Sequence, residues 1–113
     1  MDALIKQRAE NISAIHDAID DLVRYAHAHS NIIKIVQFGS TVRGRVDAFS
    51  DLDVLVVMDT DMNFFDRNAE IKTAFKAPVD ADIICYTPDE IDKNRHRPFF
   101  SNILREGKII YEK

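Results

Sequence analysis

A chain of 113 residues with 46% hydrophobic and 30% charged side chains is long enough for one real core and has the composition of a globular protein in water. Its formal charge of -4 argues against a broad basic face for bulk DNA or RNA binding, and leaves open a small anionic ligand handled with metal ions. One cysteine, Cys85, rules out an intrachain disulfide or a cysteine-based zinc site, and no stretch approaches the ~18 apolar residues of a membrane span.

The opening MDALIKQRAE lacks the apolar core of a secretory signal, so a reducing, cytoplasmic location is expected. Ile5, Ile12, Ile15, Ile19, Leu22 and Ala26 recur at helical spacing, which predicts a first amphipathic helix fraying near His29 and Ser30. Ile32 to Phe38 is β-branched and apolar and stops at Gly39, the pattern of a buried strand. Ser40 to Ser50 is polar and reads as a turn. Leu52 to Met58 is a second strand. Phe64, Asn68, Ile71 and Phe75 mark a second helix ended by Pro78. Asp82 to Tyr86 is a third strand. Thr87, Pro88 and Glu90 form a capping box with proline at the first helical position. A further helix spans Pro98 to Glu106, with Gly107 as its stop signal, and Lys108 to Glu112 is a last strand. No repeat, linker or low-complexity tract interrupts this order. The expectation is a single α/β (α+β) domain over residues 1–113, with one small mixed sheet of about four strands flanked by helices.

Asp51 and Asp53 stand directly before an apolar strand. Alternation puts both on one face, about 7 Å apart, where the two charges repel. A divalent cation between them removes the repulsion, and hard oxygen ligands suit magnesium or manganese. Upstream, Gly39 lets a phosphate or another backbone approach closely, and the Ser40 hydroxyl with nearby N–H groups can hold phosphate oxygens. Arg43 and Arg45 are cations on the same loop. Gly39-Ser40, a ten-residue spacer and Asp51-Leu52-Asp53 therefore join a phosphate grip to a metal-binding pair. That set suits phosphoryl or nucleotidyl transfer between two metals. A third acid is expected from the strand "PVDADIICY". Asp80 lies near its mouth and Asp82 deeper. Asp82 is the better candidate, completing the metal site and accepting, directly or through the metal, the proton of an attacking hydroxyl.

Gly-Ser, ten residues, then Asp-x-Asp resembles the signature of the polymerase-beta-like nucleotidyltransferase superfamily. The run "GSTVRGRVDAFSDLDVLV" resembles its minimal nucleotidyltransferase branch, and "DIICYTPDEI" and "ILREGKIIYEK" resemble that branch's third strand and C-terminal end. The resemblance implies transfer of a nucleoside monophosphate, AMP from ATP or the equivalent from another nucleoside triphosphate, with two Mg²⁺ ions (or Mn²⁺). It implies that Gly39 and Ser40 hold the triphosphate, with Asp51, Asp53 and Asp82 as catalytic carboxylates and metal ligands. It also implies an antitoxin paired with a helical HEPN-type toxin, some members attaching AMP to a tyrosine of that toxin. Homo- or hetero-oligomers are both compatible with it.

Blander readings stand beside these. Asp51 and Asp53 are alternatively solvated acids, or with Asp47 part of an irregular calcium loop, although the glycine and final glutamate of an EF-hand are missing. Arg43 either binds phosphate or braces the loop against Asp47 or Asp51. Lys93, Arg95, His96 and Arg97 form a solvated basic face or a contact for the triphosphate tail or an acidic partner. His16, His27 and His29 have no metal-ligand company. Phe64, Phe75, Phe99 and Phe100 are expected in the core, with exposure of Phe99 and Phe100 as a binding patch the lesser alternative, and Cys85 is expected to be inert. Two other functions compete: an antitoxin that masks its toxin by binding alone, and a transferase acting on a small molecule such as an antibiotic.

Overall fold

The computed structural model of the chain describes residues 2–43, 51–75 and 79–113. The order is α1 (Ala3–Ala28), β1 (Ile32–Phe38), β2 (Leu52–Met58), α2 (Phe64–Ala74), β3 (Ala81–Tyr86), α3 (Pro88–Asn94), α4 (Pro98–Glu106) and β4 (Lys108–Glu112). The four strands form one mixed sheet in the order β3-β2-β1-β4. β1 runs antiparallel to β2 and β4, and β2 runs parallel to β3. The α/β architecture and strand number expected from the pattern are therefore present.

Alternation along the strands sorts side chains onto two faces. On one, Ile35 of β1, Leu52, Val54, Val56 and Met58 of β2, and Ile83 and Cys85 of β3 pack under α1 and against Ile71 of α2. On the other, Val36, Leu55 and Val57 pack against Ile91 of α3 and Phe100 and Ile103 of α4. β2 is buried from both sides, which explains its unbroken apolar run.

The ends of the elements follow local chemistry. Asp2 Oδ1 accepts the Leu4 N–H at 2.9 Å and caps α1. The other end stops at Ala28, as expected, with His29 as its cap: the ring stacks on Tyr25 at 3.9 Å and its Nδ1 lies 2.8 Å from the Tyr25 carbonyl. His27 packs edge-on against Tyr111. The Asn63 side chain accepts the Asp66 N–H at 2.9 Å and starts α2. α2 ends at Ala74, and Pro78 lies outside the described residues. Both bonds of the Thr87–Glu90 capping box are made, at 3.2 and 2.8 Å.

Gly107 stops α4 for a reason other than backbone handedness. Its φ is -70°, open to any residue, but a Cβ there would collide with Val36 Cγ1 and stand 2.5 Å from the Ile103 carbonyl. Ile5, expected on the buried stripe of α1, is 59% exposed, and full burial begins at Ile15. Helical pitch makes 26 residues about 39 Å long. A seven-residue strand spans only about 23 Å. The first turns of α1 therefore have little sheet beneath them. Among the described residues no helix is long and apolar enough to cross a membrane.

Candidate active site

β1, β2 and β3 bring the sequence-predicted residues to one end of the sheet. Asp53 pairs with Phe38 of β1 on one side and with Asp82 of β3 on the other. The parallel register thus sets the two carboxylates directly across a ladder, on the face covered by α3 and α4. Asp53 is half-buried, while Asp51 and Asp82 are exposed. Asp53's carboxyl is held above its ordinary value. Burial is the main cause, followed by the charges of Asp82 and Asp51 and a hydrogen bond with Asp82. Asp82 and Asp51 therefore act electrostatically on Asp53. Asp80 stands one step outside: its carbonyl accepts the Leu52 N–H at 3.0 Å and its side chain is exposed.

Gly39 follows β1 with φ +81°, a conformation that glycine adopts without strain. Its hydrogen faces the Asp53 carboxylate: a Cβ there would collide with Asp53 Oδ2 and lie 3.3 Å from Cγ. The close approach that the glycine permits is thus to the metal-ligand candidate itself. A tight turn follows, with the Val42 N–H donating to the Gly39 carbonyl at 3.3 Å and the Arg43 N–H to the Ser40 carbonyl at 3.2 Å. Thr41 is buried and accepts from Gln37 Nε2 at 3.0 Å, which ties the turn to β1. Ser40 is partly exposed. Arg43 is exposed, makes no ion pair among the described residues, and lines a hollow of about 180 Å³ with Gly39, Asn102 and Glu106. Arg45 and Asp47 lie outside the described residues.

Beside the acidic pair opens a cavity of about 390 Å³. Asp53 and Asp82 line one part of it, and Phe38, Ile83, Ile84, Phe64, Phe99, Asn68 and Lys72 the rest. Phe64 and Phe99, expected in the core, are 45% and 46% exposed, whereas Phe100 is buried and Phe75 packs on the core. Edge contacts link Phe38 to Phe99, Phe99 to Phe100 and Phe100 to Tyr86, and Tyr86 meets Phe64 in a tilted contact. The rings are held by one another at the rim of the cavity, so partial exposure does not leave them loose. Lys72, the cation of the cavity, and Asn68 were not singled out as site residues. They lie on α2, and only the fold brings that helix beside β3. In the basic cluster, Lys93 pairs with Asp89 and Arg95 with Asp92, as on a solvated face.

Among the described residues no three His, Cys, Asp or Glu side chains converge as a ready-made cage. The donor set nevertheless fits magnesium, which keeps several waters and is bound through one or two carboxylates plus substrate phosphates. Asp53, drawn towards protonation by burial and by its acidic neighbours, is a carboxylate that a cation would relieve.

Residues 20–113 match the family model described as polymerase beta, nucleotidyltransferase. A proposed protein adenylyltransferase of Methanocaldococcus jannaschii is 34% identical over 80 residues, 71% of this chain and 79% of that protein. The crystal structure of a proposed nucleotidyltransferase from Sulfolobus solfataricus superposes with a TM-score of 0.64 at 21% identity, covering 96% of this chain and 86% of that one. A toxin–antitoxin structure with AMP-PNP superposes at 0.55 and 15% identity, covering 84% and 73%. The chain belongs to the polymerase beta nucleotidyltransferase family.

Proposed function

We propose that the chain transfers AMP from ATP to a hydroxyl of a partner protein, using two Mg²⁺ ions held by Asp51, Asp53 and Asp82, and that it thereby neutralises a HEPN-type toxin in the cytoplasm. The observation that carries this reading is the opposition of Asp53 and Asp82 across the β2–β3 ladder, with the Gly39 backbone against Asp53. A protein that only masked its partner would have no use for that pairing.

Bound at these carboxylates, the ions would supply charge stabilisation to the transferring phosphoryl group and acidify the acceptor hydroxyl. The chain's own groups do the rest. Gly39 and the Ser40 hydroxyl hold the β- and γ-phosphates, with Arg43 on the same loop. The bond from the α-phosphorus to its bridging oxygen breaks, pyrophosphate leaves with the electron pair on the Gly39 side, and the acceptor oxygen bonds from the opposite side. Asp82, across the ladder from Asp53, takes the acceptor's proton. The cavity walled by Phe64, Phe99 and Ile84 adjoins Asp82 and gives the acceptor room to approach. Similarity to a proposed protein adenylyltransferase supports AMP and a protein acceptor, and the toxin–antitoxin neighbour supports the pairing.

Incubation with ATP labelled at the α- or the γ-phosphate tests the reading. Label from the α-position only should enter the partner protein, in a Mg²⁺-dependent manner. Label from the γ-position would make the chain a kinase, and no label from either would leave it a binder.

A further inference from the structure

β3 carries Asp82 and is an edge strand, paired with β2 on one side alone. A bare edge is prone to slip or to recruit a foreign strand. Here a side chain closes it. The Cys85 N–H donates to Asn68 Oδ1 at 2.8 Å, and Asn68 Nδ2 donates to the Cys85 carbonyl at 3.2 Å. One carboxamide thus replaces the residue that a neighbouring strand would supply. Asn68 Nδ2 also donates to the Phe64 carbonyl at 2.8 Å. Arg67 reinforces the closure: Nε reaches the same Cys85 carbonyl at 3.3 Å, Nη1 the Met62 carbonyl at 3.1 Å and Nη2 Glu90 Oε1 at 2.5 Å. Arg67 is 4% exposed and Asn68 8%.

We propose that Asn68 is a positioning residue for Asp82: by gripping Cys85 it holds β3 in the register that faces Asp82 to Asp53. The inference rests on the reading of those two acids as the reactive pair. Side chains alternate, so a slip of one residue would turn Asp82 to the other face and set Ala81 or Ile83 opposite Asp53. The grip acts three residues from Asp82, about 10 Å along the strand. It needs a donor and an acceptor on one short side chain, which asparagine has and aspartate lacks when ionised. Ionised aspartate there would face the Cys85 and Phe64 carbonyls with no proton to offer. Alanine would leave the Cys85 N–H without its acceptor.

The test uses Asn68→Ala, with the near-isosteric Asn68→Asp as the alternative should alanine prevent folding. Hydrogen exchange is followed at the amides of β3, α1 and α4, and Mn²⁺ binding by the spin resonance of the free ion. In the variant, β3 amides should lose protection about tenfold while Leu22 and Ile103 keep theirs. The Mn²⁺ dissociation constant should rise about tenfold, as when a group supporting a metal ligand is removed. Full protection of β3 would overturn the proposal, as would a loosened β3 that binds Mn²⁺ within twofold of wild type. Absence of Mn²⁺ binding by the wild type is a separate result. It would overturn the metal reading of Asp53 and Asp82 and this inference with it.

Discussion

Replacing Gly39 by alanine tests whether the turn after β1 is shaped around the Asp53 carboxylate. The residue sits at φ +81°. A left-handed backbone costs a non-glycine residue roughly 1–2 kcal/mol. The new Cβ would also collide with Asp53 Oδ2 and lie 3.3 Å from its Cγ. Driving that side chain off its rotamer adds about 0.5–1.5 kcal/mol. Together these give about 1.5–3.5 kcal/mol, a fall in Tm of roughly 6–15 °C for a domain of this size. The assay is thermal unfolding of the metal-free protein, paired with Mn²⁺ titration. Gly107→Ala is the control: its Cβ would meet Val36 and the Ile103 carbonyl at a normal φ, away from the acids. It should lose stability and keep Mn²⁺ affinity, whereas Gly39→Ala should lose both. In an Asp53→Ala background the penalty at Gly39 should shrink to the backbone share, a coupling of about 1 kcal/mol. If Gly39→Ala binds Mn²⁺ as well as Gly107→Ala does, Gly39 is a turn residue and nothing more.

Three further outcomes follow from single groups. Asp53 holds its proton more tightly folded than unfolded, so metal-free stability should fall as pH rises from about 4 through its raised pKa. Asp53→Asn should flatten that fall and abolish the rise in Tm given by Mg²⁺ with a nucleoside triphosphate; a Tm–pH slope equal to the wild type's would count against the coupling of the acids. Ser40→Ala should weaken triphosphate binding about tenfold to a hundredfold, the worth of one hydrogen bond to a charged group, and leave nucleoside binding unchanged. Equal loss for both ligands would remove the hydroxyl from the phosphate grip. Burial pushes the Cys85 thiol up to about 11, so the native protein should resist iodoacetamide at pH 8 and react only on unfolding. Rapid labelling of the native chain would show that β3 opens.

Most element boundaries were legible because local chemistry sets them. Thr87, Pro88 and Glu90 specify a helix start regardless of what packs nearby, and the apolar run from Val54 announces a strand buried on both faces. The placement of two of the acids was legible for a related reason: Asp53 and Asp82 stand near the starts of apolar strands, and the parallel register sets them opposite one another. What stayed hidden depends on distances between elements. Helical periodicity identifies the apolar side of α1 but not where the sheet beneath it ends, so Ile5 was expected inside. Phe64 and Phe99 have core composition, but they come from helices that flank an open cavity. Asn68 shares a helical stripe with Ile71, and only the position of Cys85 shows that its amide serves the strand edge.

The central claim is that the acidic pair performs a transfer, and the intact mass of a HEPN-type partner measures it most directly. The partner is incubated with ATP, Mg²⁺ and either the wild-type chain or Asp82→Asn, a change of nearly constant size that leaves docking in place. The wild-type chain should add the mass of AMP. Asp82→Asn should still co-purify with the partner but add nothing and give no lasting neutralisation. Full neutralisation by Asp82→Asn with no mass gained would contradict transfer and establish masking. Transfer by that variant at the wild-type rate would remove Asp82 from the site and leave Asp80 as the third carboxylate.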